Sequence, residues 1–536
     1  MGTATATPIG LNLTTEFSSS YREFESFPEN LFDRHSYAPT LRAYKHRLDL
    51  SSAQLLVQHE DVADVPFRDL DGTGAMFARK NIFSDQKLRE HLGDNAVEDP
   101  LTSRLVSGAY ATKPDPQCRF IFIWAKHSRA PLKLTRRMLM RIMSYHQVMP
   151  RYLEFLFLFG QRAIPHDLRY SGFREQTSLE LPAPGQNLPE LRRSGKQYQI
   201  CYNLKSVGCS SPPDIALMHQ QWSIRHAAIY HQFDVKFGTT LWIVTKGDLS
   251  LKEDVQDVTG PNGRPEDRSF GTPQEAFRAS LPIHALFAHW ATNDWRWYMQ
   301  WLEDSVDKET QATILENRNE KLRSTVYTPS DLQRIQIWEE KANEVITTLE
   351  SNASVLGAIL DYYLALAQNA RFPLRSSNAD DIKMFAAQLR DLIADSNMQK
   401  NRAKLLVNIA SQRKTLILQY LQSQASEKME TLTMMAQKEA VAMRIVTVVT
   451  LIYLPATFVS TFFSTDVVKY QNESGTDPTA GGTSYSSVAM ARWLEVTLPL
   501  TVVTFLLSWL AYNKAKKNIG VQALAKGIVG HANTYP

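Results

Sequence analysis

Two stretches near the C-terminus decide the fold of this chain: IVTVVTLIYLPATFVSTFFS at residues 445–464 and WLEVTLPLTVVTFLLSWLAY at residues 493–512. Each is about 20 residues long, and at ~1.5 Å per residue such a helix spans the ~30 Å hydrocarbon core of a bilayer. The first stretch carries no charge, and Glu495 in the second lies within its first turn, where a carboxylate can reach the interface. We therefore predict two transmembrane helices rather than two soluble core helices.

Flanking charges predict the topology of this hairpin. Basic residues precede the first span and follow the second: Lys438, Arg444, Lys514, Lys516 and Lys517. In the loop at 465–492, Lys469 and Arg492 are set against the acidic Asp466, Glu473 and Asp477. The positive-inside rule then predicts an integral, multi-pass membrane protein with both termini in the cytoplasm, in a plasma or organelle membrane.

The N-terminal region is expected to be cytosolic. Residues 1–11 lack the basic start and apolar run of a secretory signal. The chain has 3 cysteines, which suits a reducing compartment and disfavours a disulfide framework. On the outer loop, Asn472 begins an Asn-Glu-Ser sequon, a candidate glycosylation site that lies close to the membrane.

Composition limits the classes of function. A chain of 536 residues with 43% hydrophobic content can build a soluble core beside the hairpin. The formal charge of +4 gives no case for a nucleic-acid partner. We find no Gly-rich phosphate loop, no paired metal-ligand motif and no nucleophile with a recognisable signature. The sequence therefore predicts neither an enzyme nor a bound cofactor.

The region before the spans has mixed patterning. Short runs rich in β-branched and aromatic residues predict strands at 120–124, 198–204, 227–233 and 239–244. The last two are separated by a few residues around Gly238, which predicts an antiparallel pair. Residues 152–159 are too short an apolar run to cross a bilayer, so we expect a buried helix or strand there.

A very long helix is expected to lead into the first span. Between Pro373 and Pro455 there is neither glycine nor proline. Asn378 is a suitable N-cap with Asp381 three residues later, and apolar residues follow at three- and four-residue spacing. Such a helix cannot bury its apolar stripe alone, so it needs partners from its own chain and from other subunits.

The predicted fold is an α+β cytosolic domain followed by a long stalk helix and two C-terminal transmembrane helices. The predicted parts are a loosely ordered lead-in (1–50), the α/β domain (51–255), a flexible linker (256–273), a helical subdomain (274–377), the stalk helix (378–444), the first span (445–464), the outer loop (465–492), the second span (493–512) and a cytosolic tail (513–536).

Hydroxyl residues form one stripe along the first span. At 100° per residue, an arc of roughly 80° contains Thr447, Thr450, Leu454, Thr457, Thr461 and Thr465, with Ser464 just beyond it. A hydroxyl that faces water or an ion can replace hydration, which suits a pore wall. Small polar residues also let helices pack closely, and the stripe alone leaves both uses open. One hairpin cannot enclose a pore, so conduction requires several copies.

Pro455 interrupts the same span. It removes one helical hydrogen bond and frees a backbone carbonyl near Leu451, which predicts a kink. Such a weak point is tolerated only against protein or water, so we expect Pro455 on a packed or pore-lining face.

The run TLIYLPATF at residues 450–458, at the end of a very long helix, closely resembles the first membrane helix of CorA-like divalent metal ion transporters. The match covers the C-terminal third well, while the N-terminal domain is compatible with it, and IYHQFD at 229–234 looks like the divergent fungal branch. The resemblance implies a funnel-shaped homopentamer in the lipid bilayer. It further implies that the first span of each subunit lines a central pore for Mg²⁺ or a related divalent ion.

The chain departs from this family at the outer end of the first span. The family's Gly-Met-Asn signature falls on Ser464, Thr465 and Asp466, and none of the three matches. In the family the asparagine ring holds a hydrated ion, so Asp466 would give a ring of five carboxylates and a metal contact at the outer mouth. This ring would attract a divalent ion more strongly than an asparagine ring does, and it would be expected to bind Mg²⁺ through the hydration shell of the ion.

The same alignment implies further pore positions at Met443, Val446, Leu454 and Thr457, whose apolar members would form a constriction that gates by dewetting. The predicted function is a divalent cation channel or transporter, with Mg²⁺ or another divalent ion as its cargo. The alternative is a membrane-anchored sensory or scaffold protein that kept this architecture and lost conduction. The absence of the Gly-Met-Asn signature favours this alternative.

Overall fold

The computed structural model describes the chain outside residues 1–10, 12, 33–35, 71–75, 99–104, 108–109, 128, 162–168, 183–184, 210–221, 316–326, 465–486 and 532–536. The chain divides into two units, residues 1–418 and residues 419–536.

Strands occur only in the first unit of the described chain. They are β1 (Val65–Leu70), β2 (Ala78–Ile82), β3 (Val97–Glu98), β4 (Leu105–Ser107), β5 (Cys118–Trp124), β6 (Phe173–Ser178), β7 (Gln197–Cys209), β8 (Trp222–Asp234) and β9 (Thr240–Lys246).

The α-helices of the described residues are α1 (Thr15–Arg22), α2 (Ala38–Leu55), α3 (Asp85–Leu92), α4 (Arg136–Tyr145), α5 (Tyr152–Leu156), α6 (Ser250–Thr259), α7 (Pro273–Thr292), α8 (Trp295–Leu315), α9 (Pro329–Gln368), α10 (Ala379–Phe463) and α11 (Ser487–His531).

Seven strands form one mixed sheet in the order β2-β1-β5-β9-β8-β7-β6, and β3 pairs with β4 in a separate ribbon. The β5–β9 pair is parallel, with Cys118 opposite Thr240, and the other neighbours are antiparallel. The four predicted strands are β5, β7, β8 and β9, and the predicted antiparallel pairing of the last two is confirmed. Gly238 closes their turn with a φ of +71°, a conformation that glycine adopts without strain.

Both faces of the sheet are buried, because the central strands carry apolar side chains on each face. In β5, Ile121 and Ile123 point into one core, which is shared with α4 and α5. Phe120 and Phe122 point into the opposite core, which is shared with α7, α9 and the start of α10. The soluble unit is therefore a sheet with helices on both sides.

In the segment predicted as a loosely ordered lead-in (1–50), the described residues include the folded helices α1 and α2. Phe17 and Tyr21 of α1 are fully buried in the core beside α4, and the Tyr21 hydroxyl donates to the Asp94 carboxylate at 3.0 Å. The helix spans 8 residues, too few for a clear periodic pattern, and its stability comes from partners far along the chain.

The segments predicted as a flexible linker and a helical subdomain also contain folded elements. Residues 256–273 include the end of α6, a short 3₁₀ turn at Pro265–Arg268 and the buried Phe270. Within the predicted helical subdomain (274–377), α7 packs against β7, and both α7 and α9 share one core with the sheet. The apolar run at 152–159 is buried and begins with the short helix α5.

The predicted long helix is present as α10, 85 residues that run without interruption through Pro455. At its start the Asn378 side chain donates to the Asp381 carboxylate at 2.9 Å. Within the first unit, Ile382, Phe385 and Leu389 are buried as their spacing predicts. Among the described residues, two helices are long and apolar enough to cross a membrane, α10 and the part of α11 at Met490–Lys514.

Candidate functional site

The membrane-directed part of α10 combines two faces, which we call the packing face and the hydroxyl face. The packing face consists of Leu451, Pro455, Val459 and Phe463, each four residues from the next. Pro455 and Val459 are buried, and Leu451 and Phe463 are half-buried. This spacing places the four side chains along one side of the helix.

The second span contacts α10 at Ser460, which lies about 120° from the centre of the packing face at 100° per residue. Trp493 of α11 donates from its indole nitrogen to the Ser460 hydroxyl at 3.1 Å, which fixes the two helices side by side at one end of the hairpin. One turn further along α11, Thr497 is buried. Pro455 therefore lies on a packed face, as its weakened backbone requires.

The hydroxyl face carries the predicted stripe, and all of its described members are exposed: Met443, Val446, Thr447, Thr450, Leu454, Thr457, Thr461 and Ser464. At 100° per residue, its centre lies about 150° from the centre of the packing face. The stripe thus faces away from the packing face.

Each hydroxyl of the stripe donates its hydrogen to a carbonyl one turn earlier in its own helix. Thr447 donates to Met443 at 2.7 Å, Thr457 to Leu454 at 3.0 Å, Thr461 to Thr457 at 2.6 Å, Ser464 to Thr461 at 2.8 Å, and Thr450 to Val446. A hydroxyl has one hydrogen and two acceptor lone pairs, so these groups present oxygen lone pairs outwards. A face of such oxygens suits a cation or its hydration water rather than an anion.

The three residues predicted at the outer mouth are only partly described. Ser464 is the last residue described before the gap at 465–486, and it is exposed at the end of the hydroxyl face. Thr465, Asp466 and the sequon residue Asn472 lie outside the described residues. The metal contact assigned to Asp466 therefore stays a prediction.

The described residues contain no group of three or more His, Cys, Asp or Glu side chains that could hold a metal ion. The packing face was not predicted from the sequence, although the four-residue spacing of Leu451, Pro455, Val459 and Phe463 is its signal. The hydrogen bond between Trp493 and Ser460 has no such signal, because it joins residues 33 positions apart on two helices.

Comparison with known proteins gives one family match. A model of the family described as CorA-like transporters matches residues 19–314, which is more than half of the chain. No curated protein sequence matches.

Three similar solved structures have low identity and low TM-scores. The full-length CmaX protein is 12% identical over 86% of this chain and 100% of its own, with a TM-score of 0.30. The CorA magnesium transporter from Methanocaldococcus jannaschii is 11% identical over 83% of this chain and 95% of its own, with a TM-score of 0.29. The cytoplasmic domain of ZntB from Vibrio parahaemolyticus is 7% identical over 66% of this chain and 98% of its own, with a TM-score of 0.31.

Proposed function

The chain belongs to the family of CorA-like transporters, and on this premise we propose that it passes divalent cations, Mg²⁺ or a related ion, through a membrane pore. The pore is formed by several copies of the chain, and the first span of each copy lines it. The ion moves down its electrochemical gradient. The observation that carries the proposal is the opposition of the packing face and the hydroxyl face on one helix.

This opposition suits a pore wall for a geometric reason. The buried side chains of this part of α10 lie on the packing face, so each hairpin can turn its exposed hydroxyl face to a shared axis. Oxygen lone pairs then line the path, where they replace part of the hydration of a cation. Leu454, Val446 and Met443 on the same face provide the apolar constriction that gates by dewetting.

Exposed apolar side chains on α10 support assembly of several copies. Within the second unit, before the span, Met429, Leu432 and Met435 are exposed on a helix segment that also carries charged residues. An apolar surface of this kind on a long helix needs a partner. Identical helices around the axis supply it, and we take the pentamer implied by the family resemblance as the assembly.

The outer end is the proposed selectivity site. Ser464 ends the described hydroxyl face, and Thr465 and Asp466 follow it in the sequence. Five copies of Asp466 would attract a hydrated divalent ion, since Mg²⁺ sheds its water reluctantly. With the basic flanks on the inner side, both termini are cytoplasmic and the large first unit faces the cytosol.

Ion flux into vesicles that contain the purified chain tests the proposal. Thr450→Val and Thr457→Val remove lone pairs from the hydroxyl face with little change of shape, so each is expected to reduce flux of Mg²⁺ several-fold. Thr501→Val and Thr504→Val are matched controls, because these threonines also donate to carbonyls of their own helix but lie on the second span. The controls are expected to keep wild-type flux.

Four results would contradict the proposal or a part of it. Equal flux in the two pairs of variants would remove the hydroxyl face from the pore wall. A monomeric mass for the detergent-solubilised particle would exclude a pore of several copies. Absence of flux for every divalent ion would favour the scaffold that lost conduction, and strong flux in Asp466→Ala would reject the outer carboxylate ring.

A further inference from the structure

Lys205 of the first unit is a buried cation whose amine has no partner among the described residues. It lies on β7 and is 3% exposed. Among the described residues, no carboxylate lies within ion-pair distance of its amine, and its recorded hydrogen bonds are those of the backbone. Glu344 of α9 acts on it only through its longer-range charge. Buried lysines are rare unless they are paired.

The backbone of Lys205 is held in place from the helical side. Asn352 of α9 accepts a hydrogen bond from the Lys205 amide at 3.0 Å and donates to the Lys205 carbonyl at 2.6 Å. On the sheet, Lys205 is opposite the buried His226 of β8. The backbone position of Lys205 is therefore set by the strand and by α9. From there the side chain lines the space beside them.

That space is a cavity of about 510 Å³, which Lys205 lines. A second donor lines it too: the indole N–H of Trp222 is buried and has no acceptor among the described residues. The Trp222 ring lies 5.7 Å from that of Tyr298, so one wall is aromatic. The two carboxylates of the lining, Glu340 and Glu344, are exposed to solvent, which leaves the inner wall with donors and a positive charge.

A neighbouring cavity of about 360 Å³ extends the basic character. It shares Ser223 and His226 with the first cavity. Its lining adds the cations of Lys126, Arg225 and Lys246, against which Asp248 is the single carboxylate in the described lining. An anion in the first cavity would therefore feel positive charge from two sides.

An unpaired buried cation is costly for the fold. Burial lowers the pKa of Lys205 to about 8, with Glu344 acting in the opposite direction. A methionine would fill the same space without this cost. A ligand that brings a negative charge to the amine would offset this cost, and this would explain a lysine at the buried position.

We propose that the cavity binds a small soluble phosphate-bearing anion, with the Lys205 amine and the Trp222 indole as donors to the phosphate. An ammonium group and N–H donors are common phosphate ligands. The volume exceeds that of a single phosphate, and the aromatic wall of Trp222 and Tyr298 gives an apolar surface for the organic part of a phosphate ester. The site is separate from the hydroxyl face and does not depend on conduction.

Thermal unfolding of the full chain in detergent tests this site, with inorganic phosphate and AMP as probes and sodium chloride at equal ionic strength as the reference. Both probes are expected to raise the unfolding midpoint in a saturable way. Lys205→Met is expected to be at least as stable as the wild type without a probe, and to weaken probe binding about tenfold or more. Lys383→Met, at an exposed lysine of α10, is the matched control and is expected to keep the wild-type response.

An equal response in Lys205→Met and the wild type would overturn the proposal, as would a wild-type midpoint that phosphate and AMP raise no more than chloride does. Phosphatidic acid in the same detergent separates the two sources of phosphate. Stabilisation by phosphatidic acid but not by phosphate or AMP would reject a soluble ligand in favour of a lipid headgroup.

Discussion

A buried chain of three polar side chains makes the soluble unit sensitive to acid. The Tyr202 hydroxyl of β7 lies 2.7 Å from Nδ1 of His284 on α7, and Nε2 of His284 lies 3.0 Å from Nδ1 of His231 on β8. His231 stacks on Trp242 with ring centroids 3.8 Å apart. Both histidines are almost fully buried between the sheet and α7, so each is expected to be neutral in the folded protein.

Burial lowers the pKa of both histidines, that of His284 to about 3 from the ordinary value of 6.5. Below pH 6.5 the unfolded chain takes up protons that the folded chain excludes, so the free energy of unfolding falls as the pH falls towards 3. Each pH unit in this window costs about 1.4 kcal/mol per histidine. The 1.5 units from pH 6.5 to pH 5 therefore cost about 2 kcal/mol at His284, and the lowered pKa of His231 acts in the same direction.

Chemical denaturation of the full chain at pH 7 and pH 5, followed by tryptophan fluorescence, measures this loss. His284→Gln is expected to be less stable than the wild type at pH 7 but to lose about 2 kcal/mol less between the two pH values. His46→Gln, at an exposed histidine of α2, is the control and is expected to lose as much as the wild type. Parallel losses in His284→Gln and the wild type would refute the assignment of acid sensitivity to this pair.

Two further substitutions test the packing of the same unit by denaturation at pH 7. Arg141, fully buried, bonds Asp85 at 2.7 and 2.8 Å and Asp94 at 3.0 Å. Arg141→Leu removes the buried cation that these two carboxylates share and is expected to lower the free energy of unfolding by about 3–5 kcal/mol. Arg334→Leu removes an exposed arginine and is expected to lower the free energy of unfolding by less than about 1 kcal/mol. Equal losses for the two substitutions would contradict the role of burial. Gly238→Ala places a Cβ 2.8 Å from the Pro273 Cα at a φ of +71°, so a loss of about 1–3 kcal/mol is expected, and a neutral result would reject the strained turn.

The features that the sequence predicted well depend on local patterns. The strands β5, β7, β8 and β9 contain short runs rich in β-branched and aromatic residues, as expected of a sheet that is covered on both faces. The long helix follows from the absence of glycine and proline between Pro373 and Pro455. Length and hydropathy alone identify the two apolar helices.

The features that the sequence missed depend on partners far along the chain. Tyr21 is buried because Asp94 and Arg141 meet its hydroxyl from 73 and 120 residues away. The parallel pairing of β5 with β9 joins strands separated by more than 100 residues. Lys205 shows the same limit at a candidate site, since a lysine in a strand suggests an exposed edge and only the packing of α9 over β7 buries it.

The position of the second span bears on the two uses that the sequence leaves open for the hydroxyl stripe. If the stripe served close packing within the hairpin, α11 would be expected to lie against Thr450 and Thr457. The hydrogen bond from α11 instead reaches Ser460, and Thr450 and Thr457 are exposed. The hydroxyls then remain for other copies of the chain or for water and ions. Because the family match rests on residues 19–314, which exclude both spans, membership of the family and the orientation of the stripe support a pore independently of each other.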